Sequence, residues 1–351
     1  MKILFVDRST NLDTVYDLDY RPRGGMVNSL FRVTDYLSEK GHEVVVFSDI
    51  KHIGVRDSGV AWTNKDEDRD KEKYDVLVMN RGVGYGLPGI DAASRVLWTH
   101  DLPHAGFIPE PKVMKAFNKV VFMSKYAEQI WRTYYNCIGK SVFIPNGVVK
   151  SLFYPRKKDL DHIIFFSHPC RGLKRLPLIF EAVKTRLKRK DLYCTAYSNA
   201  KGMYAEGEMG DHGVEYDIEY KCEVDGFFHR QPLPAHEIAR EVGYAGLTVM
   251  PTGYPEICSN SILQSLTSGT PIVTTGNLGS AGEWVKHKKN GYLTHYGPSD
   301  YMVHTVEMMR GCIYALESTE RHQKLIKAAE RTKVLSWEEV GLKWEKMLKR
   351  L

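Results

Sequence analysis

Short apolar runs alternate along the chain with stretches in which apolar residues recur every three or four positions. Residues 2–7, 43–48, 74–80, 95–99, 119–123 and 141–144 read as buried strands. Between the first two, residues 26–40 carry Val27, Leu30, Phe31, Val33, Tyr36 and Leu37, a helical spacing that Gly41 closes. Turn chemistry at Ile144-Pro145-Asn146-Gly147-Val148 ends the sixth strand, and the polar residues 150–161 follow as the expected linker. The alternation then restarts, with strands at 162–167, 192–197, 222–227, 246–250 and 271–275 and a helix at 176–187. From Ser299 onward the pattern is mostly helical. Ser336 followed by Glu339 is a capping-box signature for a last helix, with Val340, Leu342, Trp344, Met347 and Leu351 as its expected docking stripe. This pattern predicts an α/β protein with two doubly wound parallel sheets. The expected divisions are residues 1–150, 151–335 and a terminal helix over 336–351.

Composition supports that reading. The 351 residues suffice for two domains of ordinary size, and 43% hydrophobic with 26% charged residues is typical of a soluble globular chain. No apolar run approaches the ~20 residues that cross a bilayer, and the N-terminus reads as a strand rather than a signal peptide. The six cysteines are scattered with no CxxC pair, which argues against a zinc site or a disulfide framework and favours a cytoplasmic location. The net charge of +6 is modest. Basic clusters at 156–158, 184–190 and 286–289 read as solvated surface. The alternative is peripheral contact with an anionic membrane or a nucleic acid.

The densest candidate chemistry lies in residues 251–275, PTGYPEICSNSILQSLTSGTPIVTT. A buried strand turns through Pro251, Gly253 and Pro255 into a helix expected over 258–267. A helix start presents unpaired N–H groups and a dipole that favour an anion. Glu256 stands at that mouth, and Gln264 lies about two turns along the helix. Glu256 is equally readable as a simple dipole partner.

Four other places qualify. Arg171 and Lys174 flank Gly172 after a strand, where a guanidinium fork and an ammonium can meet one diphosphate. Gly24 and Gly25, after Arg23, precede a helix and allow a close backbone approach. His100 ends a strand, followed by Asp101, at the end that faces a ligand crevice in parallel sheets. Asp-x-Asp occurs at 17–19, 66–68, 68–70 and 159–161 in polar stretches, read as surface acids rather than metal ligands.

Taken together, these segments resemble the retaining glycosyltransferases of family 4, a group with the GT-B architecture of two Rossmann-like domains facing a cleft. The family's donor motif has two glutamates separated by seven residues. Here Glu256 takes the first position and Gln264 the second, followed by Ser268-Gly269-Thr270-Pro271, Glu283 and Asn290-Gly291-Tyr292. The resemblance covers nearly the whole chain in order. It implies that residues 1–150 form an acceptor-side domain, 151–335 a nucleotide-sugar-binding domain, and 336–351 a helix crossing back to the first.

For the reaction, the resemblance implies a sugar moved from a nucleotide-diphosphate sugar to an acceptor hydroxyl, without a metal or other cofactor. His100, Glu256, Arg171 and Lys174 are its implied catalytic residues. Gly24, Gly25, Arg171, Lys174, Ile257, Cys258, Ser259, Asn260 and Gln264 are its implied donor contacts. Tyr197, Ser198 and residues 226–230 fall where the base is held. The departure at Gln264 places turnover in question. A nucleotide-sugar-binding protein without activity is one alternative, and a DNA-modifying glucosyltransferase of the same fold is another. An epimerase or phosphorylase ranks lower.

Overall fold

The computed structural model describes residues 1–8, 12–16, 24–66, 72–81, 89–103, 111–137, 139–198, 223–295 and 300–351. They form two compact units. Unit 1 comprises the described residues of Met1–Gly147 and Leu335–Leu351, and unit 2 those of Val148–Met203 and His212–Val334.

Unit 1 is built on eight strands: β1 (Lys2–Asp7), β2 (Glu43–Ser48), β3 (Gly54–Val55), β4 (Ala61–Thr63), β5 (Tyr74–Asn80), β6 (Ala92–Trp98), β7 (Lys119–Phe122) and β8 (Ser141–Phe143). Their order is β3-β4-β2-β1-β5-β6-β7-β8, parallel throughout except for the β3–β4 pair. The order reverses between β1 and β5, which makes that junction the topological switch point where open parallel sheets receive ligands. β3 and β4 escaped the sequence reading because runs of two and three residues carry no usable periodicity. The Gly25–Glu39 helix buries Val27, Leu30, Phe31, Val33 and Leu37, and Gly41 follows its end at φ +81°, the left-handed turn that glycine adopts without strain.

The final helix, Trp337–Leu348, starts with the predicted capping box. Glu339 N–H donates to Ser336 Oγ, and the Glu339 carboxylate accepts from Ser336 N–H. Its buried face keeps Val340, Trp344 and Met347 of the expected stripe and departs from it at Leu342 and Leu351. Trp337, Val340, Gly341, Trp344, Met347 and Leu348 are buried, whereas Leu342 and Leu351 are exposed, because Leu342 falls on the opposite side of a 3.6-residue turn. Trp344 packs edge-on against Trp98 at 4.7 Å. A β-carbon at Gly341 would stand 2.2 Å from the Tyr36 ring, so the glycine sets how closely this helix meets Gly25–Glu39. Gly341→Ala is expected to cost about 1–3 kcal/mol through overpacking. A lowered denaturation midpoint in tryptophan fluorescence tests this, and an unchanged midpoint counts against the close crossing.

Unit 2 has six strands, all parallel: β9 (Asp159–Phe165), β10 (Tyr193–Tyr197), β11 (Phe227–Arg230), β12 (Ala245–Met250), β13 (Ile272–Thr275) and β14 (Gly291–Thr294). The order β11-β10-β9-β12-β13-β14 reverses between β9 and β12. Three expectations are corrected here. β9 begins at Asp159, inside the expected linker, because Asp159 pairs with Ala245 on β12. Its carboxylate accepts from Tyr193 Oη at 2.9 Å and Asp161 is ion-paired with Arg189, so this Asp-x-Asp pair belongs to a strand and not to a polar loop. β11 lies downstream of the expected 222–227, of which Cys222 is outside the described residues. β14 was not anticipated as a strand.

Of the 156–158 basic cluster, Lys158 is not a surface charge. Its Nζ donates to Gly243 O (2.7 Å), Ser268 O (2.8 Å) and Thr270 Oγ1 (2.6 Å), and burial lowers its pKa to about 7. Gly243 and Ser268 stand at the C-terminal ends of two helices, where a cation is favourable. Among the described residues, no helix is long and apolar enough to cross a membrane.

Candidate functional site

At the switch point of unit 2, the segments following β9, β12 and β13 supply the candidate side chains. After β9 the chain turns through two 3-10 segments, Pro169–Arg171 and Leu173–Arg175, before the Leu176–Leu187 helix. Gly172 joins them at φ +101°, with its α-carbon so close to the next loop that a β-carbon would meet Pro251 O at 2.2 Å. That contact brings the β9 and β12 loops together, and an ion pair completes the join. Arg171 Nε donates to Glu256 Oε1, and both side chains are largely buried, at 19% and 15% exposure.

The guanidinium also stacks over the Tyr254 ring, 3.8 Å from its centroid, and Nη1 donates to Cys170 Sγ at 2.7 Å. Nη2 makes no hydrogen bond among the described residues. Burial opposes the charge on Arg171, but Glu256 and Cys170 beside it outweigh burial and hold its pKa above the ordinary value. Lys174, three residues on, is exposed. Arg171 with its carboxylate partner Glu256, and Lys174 nearby, thus stand at the carboxyl ends of two neighbouring strands.

Glu256 is aimed by its backbone. Its carbonyl accepts from Ser280 N–H at 2.7 Å, and its N–H donates to Tyr254 O at 2.9 Å. Gly279, in the left-handed region at φ +80°, lies so near that a β-carbon there would reach Glu256 O at 2.5 Å. Ile257, Cys258 and Ser259 are buried behind it. The helix runs Asn260–Thr267, two residues later than expected, because Cys258 still belongs to the loop and Ser259 is the N-cap. Gln264 is half-buried, and its side chain makes no hydrogen bond among the described residues.

Behind the loop runs a relay that sequence reasoning missed. Arg175 Nη1 lies 2.6 Å from His304 Nδ1, His304 Nε2 lies 2.9 Å from Thr275 Oγ1, and Thr275 Oγ1 donates to Thr252 O at 2.5 Å. Arginine only donates, so Nδ1 accepts and the proton of a neutral imidazole sits on Nε2. Burial and then Arg175 depress the His304 pKa to about 4. His168 is held the same way: its Nδ1 accepts from Cys170 N–H at 3.2 Å, and burial and Arg171 bring it to about 4. Nothing in local sequence marks His304, which comes from a helix about fifty residues beyond the loop it supports.

Both histidines therefore bind a proton in the unfolded chain at a pH where the folded chain refuses one. Their contribution is full above pH ~6.5 and is lost as pH falls toward about 4. Urea midpoints measured from pH 7 to pH 4 should fall, and imidazole NMR should find both rings neutral at pH 5.5. Rings protonated at that pH would contradict the relay.

In unit 1, Gly24 is the N-cap of the Gly25–Glu39 helix, so the first-turn N–H groups have no acceptor within their own helix. Arg23 and the acids of 17–19 and 68–70 lie outside the described residues, as does Asp68 of the 66–68 pair. His100 follows β6, with its ring 4.6 Å from that of Trp98. Its Nε2 is buried with no partner among the described residues, and burial, then Arg81, depresses its pKa to about 3. Asp101 is ion-paired to Arg81, which follows β5 at φ +70°. A buried pair at the β1/β5 switch point, Asn80 Nδ2 donating to Asp7 Oδ2 at 3.1 Å, was also missed. Tyr197 is turned into the core of unit 2, with its hydroxyl on Glu241 at 3.0 Å, while Ser198 Oγ donates to Ser167 O. Residues 227–230 form the edge strand β11. Among the described residues, no three His, Cys, Asp or Glu side chains converge as a metal-binding group.

Neither a protein-family model nor a curated protein sequence matches the chain. Solved structures do. Sucrose-phosphate synthase from Thermosynechococcus elongatus superposes with a TM-score of 0.76 at 14% identity, over 99% of this chain and 98% of the other. Anabaena HepE, solved in complex with UDP and glucose, gives 0.69 at 13% over 100% of both chains. A glycosyltransferase from Rickettsia africae gives 0.68 at 15%, over 99% and 98%. The chain has the GT-B fold. At these identities the likeness speaks for architecture, and it covers both parallel-sheet units.

Proposed function

We propose that the chain is a retaining, metal-independent glycosyltransferase that moves a sugar from a nucleotide-diphosphate sugar to an acceptor hydroxyl. The observation that carries this reading is the Arg171–Glu256 pair at the switch point of unit 2, with Lys174 beside it. The HepE structures with UDP-glucose and with UDP and glucose support the donor class.

Transfer requires that the departing diphosphate be neutralised and that the sugar be held as positive charge develops at its anomeric carbon. Arg171, through its open Nη2, and Lys174 meet the diphosphate. Glu256 accepts from sugar hydroxyls, with the amides of Ile257, Cys258, Ser259 and Asn260 around sugar and phosphate. Gln264 meets the nucleotide ribose, where an amide offers one carbonyl and one donor group in place of a carboxylate. Following the resemblance, Gly24 and Gly25 serve phosphate or acceptor, and the neutral His100 contacts the transferred sugar rather than acting as a base. The departing phosphate takes the acceptor's proton. The expected setting is the cytoplasm.

The test is incubation with nucleotide sugars in the presence of EDTA, following nucleoside diphosphate release and the anomeric configuration of the product by NMR. Release unchanged by EDTA and a product with the donor's configuration support the reading. Inversion or loss of activity with EDTA overturns the mechanism. Donor binding without any release favours the alternative raised by Gln264, a binding protein without turnover.

A further inference from the structure

Six cationic side chains of unit 2, Lys286, Lys289, Lys324, Lys327, Arg331 and Lys333, line one cavity of about 580 Å³ whose only acid is Glu283. The volume is that of a small-ligand pocket. It lies at the opposite end of the sheet from Arg171 and Glu256. The 286–290 turn leads into the amino end of β14, whereas the donor loops leave the carboxyl ends of β9 and β12.

We propose that this cavity is a second anion site that takes a ligand bearing two or more clustered phosphate groups. Its floor is built rather than incidental. Asn290 is 4% exposed and fully committed: Oδ1 accepts from Lys286 N–H (2.6 Å), while Nδ2 donates to Trp284 O (3.0 Å) and Thr332 Oγ1 (2.8 Å). The turn is closed by Lys288 N–H on Gly291 O at 2.7 Å and Lys289 N–H on Lys286 O at 2.9 Å, which fixes where Lys289 leaves the backbone. Opposite it, Lys324, Lys327 and Arg331 recur at helical spacing along Thr319–Glu330 and its C-cap, so all three share one face.

The protein itself neutralises little of this charge. Lys324 pairs with Glu320 at 2.6 Å, and Lys286 Nζ donates to Gly282 O and Glu283 O. Among the described residues, Lys289, Lys327, Arg331 and Lys333 have no carboxylate within ion-pair distance. The helix C-terminus offers only about half a negative charge, too little for four cations. Elsewhere basic clusters are absorbed by the fold: Lys158 by three oxygens, Lys184 by Asp225, and Arg189 by Asp161. An arginine fork and several ammonium groups around one concavity suit clustered phosphates better than a single carboxylate. The phosphates of a soluble polyphosphate and of an inositol-lipid headgroup share this chemistry.

The test uses the full chain at fixed ionic strength, titrated calorimetrically with tripolyphosphate and with orthophosphate. A parallel arm sediments it with phosphatidylcholine vesicles with or without a bisphosphorylated inositol lipid. One tripolyphosphate site that survives Lys174→Ala is expected at this cavity, bound tighter than orthophosphate. Lys289→Glu combined with Arg331→Glu should weaken it by at least about tenfold, the scale of losing one charge-assisted contact. Lys174→Ala should leave it unchanged, which separates this site from the donor site. Saturable binding in the soluble arm, the vesicle arm or both, lost in the double variant, supports the proposal and identifies the source. Failure to bind in both arms overturns it. So does loss in Lys174→Ala alone, or displacement of the probe by duplex DNA in preference to either phosphate source.

Discussion

Glu256→Gln is expected to lower kcat/KM for sugar transfer by about 10²–10³, the cost of removing one preorganised polar contact to a transition state. The isostere keeps the shape but removes the charge and replaces one acceptor oxygen by a donor NH₂. That charge does two things. It holds Arg171 by an ion pair in a largely buried setting, and in the proposed function it accepts from the sugar hydroxyls as the anomeric carbon becomes cationic. The fold should survive, because Ser280 N–H and the close approach of Gly279 fix the Glu256 backbone whatever its side chain. A melting temperature near that of the parent, alongside the rate loss, is the expected pair of results. Lys174→Ala should show a comparable loss, expressed mainly in donor binding. Full activity in both variants would remove these residues from the reaction.

Gly172→Ala is expected to be the most damaging single methyl in unit 2. Two penalties combine. A side chain in the left-handed region costs roughly 1–2 kcal/mol. The added β-carbon also meets the Pro251 carbonyl at 2.2 Å, a contact with backbone that no rotamer relieves. The β9 and β12 loops must move apart, separating Arg171 from Glu256. Destabilisation of about 3 kcal/mol or more should accompany a drop in activity. Gly282→Ala is the control, since a β-carbon there has only one neighbour, at 4.0 Å. If Gly172→Ala behaves like that control, the two loops are not held together as described.

Much of this architecture was legible in the chain, for a physical reason. Parallel strands buried on both faces read as unbroken apolar runs, so β1, β2 and β5 were placed to the residue, and β9, β10, β12 and β13 to within a few. β11 was displaced, and β3, β4 and β14 are too short or too polar at their margins to stand out. At the site, Arg171, Lys174 and Glu256 could be named because each lies beside turn glycines or prolines after a strand. Their pairing could not, because it depends on Gly172 meeting Pro251 across 79 residues of sequence. The Arg175–His304–Thr275–Thr252 relay was hidden for the same reason. Lys158 misled in the opposite direction: a lysine in a basic run resembles solvated surface, and only the converging helix ends show why it is buried.

The most direct measurement is thermal unfolding of the intact protein with a panel of UDP-, GDP-, ADP-, dTDP- and CMP-sugars, for the parent and for Lys174→Ala. A ligand that binds only the folded state raises its stability by RT ln(1 + [L]/Kd), about 2.7 kcal/mol at a hundredfold excess over Kd. A saturable upward shift with one nucleotide-diphosphate sugar is expected in the parent, much reduced in the variant. No shift with any member of the panel, or an equal shift in both proteins, would contradict a donor site at Arg171, Lys174 and Glu256.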